Sequence, residues 1–166
     1  MISHRTFILL LGATFLGGLL AGPGLDRAIV QIPAWRNLGP KAWAEFTRSA
    51  DLGIGLVWYP AEGLSALVLT VATSVSIYKD ASAPRAAVLW AFGAAGLAIL
   101  ALIVTGIVIL PNTRAVNGLN GPDGWQSAFD RLASWWRLKA LLHVATFGAN
   151  LCALISLLIP NLRGKQ

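Results

Sequence analysis

Charge is scarce in this chain. Asp, Glu, Lys and Arg make up 12% of its 166 residues, apolar side chains make up 56%, and mean hydropathy is +0.67. Soluble domains carry roughly 25% charged residues, so this share cannot coat a water-soluble surface. One Cys and one Met exclude a disulfide scaffold and a Cys-rich metal site. The apolar content excludes a disordered chain. The 13 Lys and Arg exceed the 7 Asp and Glu, but they are scattered rather than striped along one face, so no nucleic-acid partner is expected. G-x-x-x-x-G-K-[ST], G-x-S-x-G and H-E-x-x-H are all missing, and no Ser or Cys has an evident base beside it.

What remains is hydrophobic run. A membrane span needs about 20 mostly apolar residues. Four stretches qualify, at about 6–22, 52–78, 86–110 and 138–159. Arg5 followed by an apolar run also fits a secretory signal. No small-x-small cleavage site follows it, however, with Leu19 two residues before Ala21, so the first run reads as a retained helix. Backbone groups in lipid must be bonded internally, which makes the spans helices, and the period-two alternation of a barrel is missing. The expected fold is therefore all-α: one integral-membrane domain, a four-helix up-down-up-down bundle. Gly18 and Gly22, and Ala13 and Gly17, are spaced for close helix approach. Glycine is common in membrane helices for other reasons, and the blander reading is preferred.

With four spans both chain ends lie on one side, together with the Lys79–Arg85 turn. That side carries Arg5, Lys79, Arg85, Arg163 and Lys165; the other carries Arg27, Arg36, Lys41, Arg48, Arg114, Arg131, Arg137 and Lys139. The second side is longer and its Lys/Arg density lower. The termini are therefore assigned to the cytoplasm, in a multi-pass protein of the plasma or inner membrane. Pro40 followed by KAWAEFTRSADL reads as a short helix lying in the interface, with Trp43, Phe46 and Ala50 on one face. PNTRAVNGLNGPDG reads as a loop. No breaker interrupts Trp125 to Gly148, so the fourth helix is expected to start near Trp125 and project about 20 Å beyond the lipid. Trp35, Trp43, Trp125, Trp135 and Trp136 are expected to form an aromatic belt there.

An ionisable residue inside a span is a functional hypothesis. Glu62 lies about ten residues into the second span, after Pro60, and His143 about five into the fourth. Both spans enter from the same side, so the two residues are expected at similar depth, about 15 Å and 8 Å. Trp136, His143 and Asn150 repeat every seven residues and share a face, with Lys139 and Phe147 flanking His143. Asn112 and Arg114 end the third span, Asp26 and Arg27 follow the first, and Tyr59 lies near Glu62. Polar groups from all four helices should thus converge at one mouth of the bundle. A purely structural role for Glu62 and His143, paired and closed off, is the competing reading. Haem ligated by two His is excluded within one chain, because His4 and His143 belong to opposite ends. Glu62 and His143 are too few ligands for a catalytic metal, so neither metal nor cofactor is expected.

The run LDRAIVQIPAWRNLGPKAWAEFTRSADLGIGLVWYPAEG, with PNTRAVN and FDRLASWWRLKALLHVATF, resembles an integral-membrane family of unassigned function that includes the fungal anthrone oxygenases of polyketide pathways. The resemblance runs from about Gly12 to Asn150. It matches Pro33, Ala34 and Trp35 to the family's first connection, Asn112 to the element after the third helix, and Trp136, Arg137 and His143 to the opening of the fourth. One departure is that the tryptophan is followed by Trp136 and Arg137 where the family has a Trp-x-x-His run. The resemblance implies an enzyme in which an acidic aromatic C–H is deprotonated and the carbanion reacts with O₂, without metal or flavin. His143 or Glu62 would be the base. Arg137, Arg114 or Asn112 would stabilise the oxyanion. Trp136, Phe147 and Tyr59 would hold a flat ring, with Asn150 deeper in the same pocket. The partners expected are the lipid bilayer and an apolar aromatic or lipid-like small molecule, and a homo-oligomer is left open. The alternative class is a non-catalytic membrane subunit, lipid-binding module or assembly protein. A transporter fits less well, because four spans are few and the halves show no repeat.

Overall fold

The computed structural model describes the backbone of residues 3–163 and the side chains of residues 3–158. Arg163's side chain and Lys165, counted above among the cations of the terminal side, lie outside those described. No strand occurs among the described residues. The chain folds into four helical rods long and apolar enough to span a membrane: α1 (His4–Leu38), α2 (Pro40–Lys79), α3 (Arg85–Gly118) and α4, which runs Pro122–Arg163. This is a multi-pass membrane protein.

Three of the rods are longer than hydropathy alone indicates. α1 continues through Pro23 and then opens into a wide π-type turn at Arg27–Gln31. It stops at Gly39, whose φ of +91° suits a residue without a Cβ. Pro40 then starts α2, which widens at Thr47–Ile54 and breaks at Gly53 before the apolar stretch Gly55–Lys79. α3 widens at Val104–Ile109 and carries on to Gly118. The segment PNTRAVNGLNGPDG is therefore helical over most of its length, which corrects the loop expected from its Asn and Gly content. Pro111 removes a donor from the ladder. Asn112 and Thr113 cover the Val108 and Ile109 carbonyls with their own side chains.

α1 packs on α2 and α4, and α3 packs on the same two. Thr6 hydrogen-bonds Ser76 at 2.7 Å, and Ser74 donates to the Ala91 carbonyl at 2.8 Å. The buried face of α3 is Ala87, Ala91, Ala94, Ala95 and Ala101, whereas Leu89, Trp90, Phe92, Ile99 and Leu102 point outward. Small residues inside and large apolar ones outside suit helices that meet closely while facing acyl chains. α1 meets α4 in the same way. A Cβ on Gly17 would lie 3.6 Å from the Phe147 Cα, one on Gly18 3.3 Å from the Phe147 ring, and one on Gly24 3.4 Å from the Ala140 Cα. Small residues on α1 thus do set a helix approach, but through Gly17, Gly18 and Gly24. Gly22 faces nothing within 4 Å, so of the two pairs read from sequence Gly18–Gly22 engages through Gly18 alone, whereas Ala13 and Gly17 are both buried.

Two apolar cores result. One holds Leu10, Ile77, Ala87, Ala91, Ala153 and Leu157 near the first turn of α1. The other gathers Ile32, Trp35, Trp43, Val116, Phe129, Leu132 and Trp136 at the opposite end. Trp35, Trp43 and Trp136 are buried there against one another rather than ranged outward as a belt. They fill the gap where the extensions of α1, α2 and α4 meet.

Candidate functional site

The second core encloses charge. Arg27 stands on the wide turn of α1 and Asp51 on that of α2, and Arg27 Nη2 donates to Asp51 Oδ1 at 2.6 Å. Their side chains are 18% and 5% exposed, so the carboxylate is buried and the guanidinium partly so. Three rings surround the guanidinium: Trp136 at 5.1 Å, Trp35 at 5.8 Å and Tyr59 at 5.9 Å from its carbon to the centroids. A planar, weakly hydrated cation suits such a cage better than an ammonium. Trp35 and Trp43 lie 6.0 and 6.2 Å from Trp136, and Trp43 meets Phe129 edge-on at 5.5 Å.

α4 brings Lys139 to this cluster one turn after Trp136. The Lys139 ammonium is half-buried and lies within electrostatic reach of Arg27, Asp51 and Glu62. His143, one turn further, is half-buried, with Lys139 as its charged neighbour. Its Nδ1 lies 3.3 Å from the Leu20 carbonyl of α1. A carbonyl only accepts, so in this contact Nδ1 carries the proton and Nε2 keeps its lone pair. Gly24 lies beside the ring, where a Cβ would sit 3.9 Å from Nδ1, an ordinary contact.

The residues singled out from sequence divide into three groups. Trp136 and Tyr59 meet through Arg27, and Glu62 and His143 share Lys139 as a neighbour. Glu62 and His143 do not pair: among the described residues, the ion pairs within 4.0 Å are Arg27–Asp51 and Lys41–Glu45. Phe147 and Asn150 lie further along α4 against Gly17, with Asn150 fully buried. Arg114 and Arg137 are exposed, and Asn112 donates to the Val108 carbonyl of its own helix at 2.6 Å. The charged cluster thus draws on α1, α2 and α4, and the polar end of α3 stays out of it.

Sequence reasoning placed Arg27 and Lys139 near the mouth of the bundle without giving them a role, and passed over Asp51. Arg27 was placed past the end of a helix that in fact continues. Asp51 sits at the head of an apolar run, which was the legible signal, and Lys139 falls on the face already marked by Trp136 and His143. No three His, Cys, Asp or Glu side chains group to hold a metal among the described residues. Chemically, the arrangement offers an imidazole with a fixed tautomer, a carboxylate and an ammonium beside aromatic walls.

No protein-family model, no curated protein and no solved structure matches this chain.

Proposed function

We propose that the charged end of this membrane protein binds an apolar aromatic molecule bearing an acidic C–H, and that His143 acts there as a general base. The four rods cross the bilayer up-down-up-down. Both chain ends face the cytoplasm, and the helix Pro40–Phe46 lies at the interface. The observation that carries the reading is the His143–Leu20 hydrogen bond. It orients the imidazole so that Nε2, the basic nitrogen, is free to take a proton.

Lys139 lies beside the proposed base, where an anion formed by proton loss would be stabilised. Glu62 faces the same ammonium from α2, and Tyr59 and Trp136 supply flat walls. The chemistry that fits is cofactor-independent oxygenation of an anthrone-like ring. The methylene loses a proton to His143, and the carbanion gives its electrons to O₂ and forms a C–O bond. Loss of the second C–H proton with O–O cleavage leaves a ketone and water, so CH₂ plus O₂ becomes C=O plus H₂O. The similarity of PAWRN, PNTRAVN and SWWRLKALLH to the anthrone oxygenase family supports the same reading.

Purified protein in lipid nanodiscs is given an anthrone, and O₂ uptake is followed with an electrode. Uptake above the uncatalysed rate, lost in His143→Ala and retained in the exposed-residue variant Arg131→Ala, is the expected result. Equal rates with and without His143 remove it from the mechanism. Absence of any turnover by the parent protein favours the second reading, a non-catalytic membrane subunit or lipid-binding module. The Arg27–Asp51 pair supports that alternative, since a structural role accounts for it without a substrate.

A further inference from the structure

A row of polar atoms without protein partners runs through the aromatic core at the charged end. Trp43 Nε1, Thr47 Oγ1 and Asp51 Oδ2 are each buried and bonded to nothing among the described residues. The three residues follow one another at intervals of four on the first part of α2, so they share a face. Trp43 and Thr47 are fully buried and Asp51 nearly so. Phe129 and Trp136 wall the Trp43 end, and Arg27 occupies the other oxygen of Asp51 at the far end.

Thr47, like Thr73, departs from a habit of this protein. Thr14, Ser74, Thr105, Thr113, Thr146 and Ser156 all turn their hydroxyls back onto the carbonyl four residues earlier, the usual way a helix satisfies such a group in an apolar setting. Thr47 leaves that carbonyl alone. Along α2, Thr47 comes between a residue whose indole N–H only donates and one whose carboxylate oxygen only accepts. The Cβ atoms of residues four apart on a helix stand about 5–6 Å from each other, so the three side chains are neighbours. A water between neighbours accepts a hydrogen bond from one and donates one to the next.

We propose that Trp43, Thr47 and Asp51 hold a file of ordered water inside the aromatic core. The polarity of the file runs one way. Trp43 donates to the first water, which donates to Thr47 Oγ1. Thr47 donates to the second water, which donates to Asp51 Oδ2. Every member is then satisfied, as buried polar groups and internal waters are as a rule. The file ends on the carboxylate that holds Arg27 between Trp35, Tyr59 and Trp136, so it positions that ion pair beside Lys139. It does so whether or not the site is catalytic.

The test is solid-state NMR of the indole-¹⁵N-labelled protein in bilayers, with magnetisation started on water and the Trp43 signal assigned through Trp43→Phe. Early transfer to the Trp43 indole N–H is expected. A Trp43 signal that stays as dark as the mid-membrane backbone amides overturns the proposal. A double-mutant cycle checks it independently. With the file present, Thr47→Val and Trp43→Phe each lower the melting temperature, Thr47→Val by about 2–4 °C, and the double variant loses less than the two losses added. If no water is held there, Thr47→Val exchanges an unpaired hydroxyl for a methyl and the melting temperature holds or rises. That result, or strict additivity, contradicts the file.

Discussion

Arg27 and Asp51 join two irregular turns: the guanidinium on the wide turn of α1 donates across 2.6 Å to the carboxylate on the wide turn of α2. Neither turn has a regular helical ladder to hold it, so the ion pair and the rings around it fix how the ends of the two rods meet. Removing one partner strands a buried charge. Arg27→Ala should destabilise the protein by about 3–5 kcal/mol, read as thermal unfolding in detergent. Arg27→Lys should recover only part of this, because an ammonium cannot lie flat among Trp35, Tyr59 and Trp136. Full recovery by lysine would show that the rings contribute nothing beyond space.

Gly24 sets the distance between α1 and α4 beside His143. A Cβ there meets Ala140 at 3.4 Å, ordinary contact, so Gly24→Ala should be tolerated, with a helix-propensity gain of up to about 1 kcal/mol offsetting any crowding. Gly24→Leu needs room that the Ala140 backbone occupies. It should part the helices, break the Leu20–His143 bond and let the imidazole tautomers mix, which ¹⁵N shifts of His143 report. An unchanged tautomer in Gly24→Leu would mean that the Leu20 carbonyl does not orient the ring.

The four spans were legible because each is an apolar run with few charges, and that pattern depends on composition rather than on packing. Their full lengths were not. Pro23, Pro111 and the Gly–Asn-rich stretch after it are breakers by local rule. The helices nonetheless continue past them, with wide turns along α1 and α3 and with Asn112 and Thr113 side chains bonded to the Val108 and Ile109 carbonyls. Glu62 and His143 stood out as ionisable residues in apolar runs. Their actual relation, through Lys139 rather than with each other, depends on helix rotation, which a sequence with apolar residues all round does not specify. The inward turn of Trp35, Trp43 and Trp136 was hidden for the same reason: tryptophan near a span end fits a lipid belt and a buried cage equally well.

Trp136 is the ring shared by the cage and the core. It contacts Arg27, Trp35 and Trp43 and is almost wholly buried. Trp136→Ala should cost about 3–5 kcal/mol, and Trp136→Phe distinctly less, since a smaller ring still faces the guanidinium. A loss under 1 kcal/mol for alanine, by thermal or denaturant unfolding, would contradict the cage.

At the opposite end, Asp80 accepts hydrogen bonds from the Ser82 hydroxyl at 2.6 Å, the Ser82 backbone N–H at 3.0 Å and the Ser3 backbone N–H at 3.2 Å. The Ser82 hydroxyl, then the backbone donors, hold the carboxyl below the ordinary aspartate range. A lowered value in the folded state means that the stabilisation is complete above the ordinary value and is lost as pH falls through the folded one. Protection of the Ser82 amide from hydrogen exchange should therefore persist to below about pH 4, then fall, and Asp80→Asn should flatten that dependence. A midpoint at or above the usual aspartate value would contradict the assignment.

The site itself is tested most directly by a high-resolution structure of the protein soaked with a hydroxylated anthrone. Ligand density lying between Tyr59, Glu62 and Lys139, with its acidic carbon within hydrogen-bond reach of His143 Nε2, is the expected result. Density confined to the outer apolar faces, or solid side-chain packing where the ring should sit, would contradict the existence of a binding site at this end of the bundle.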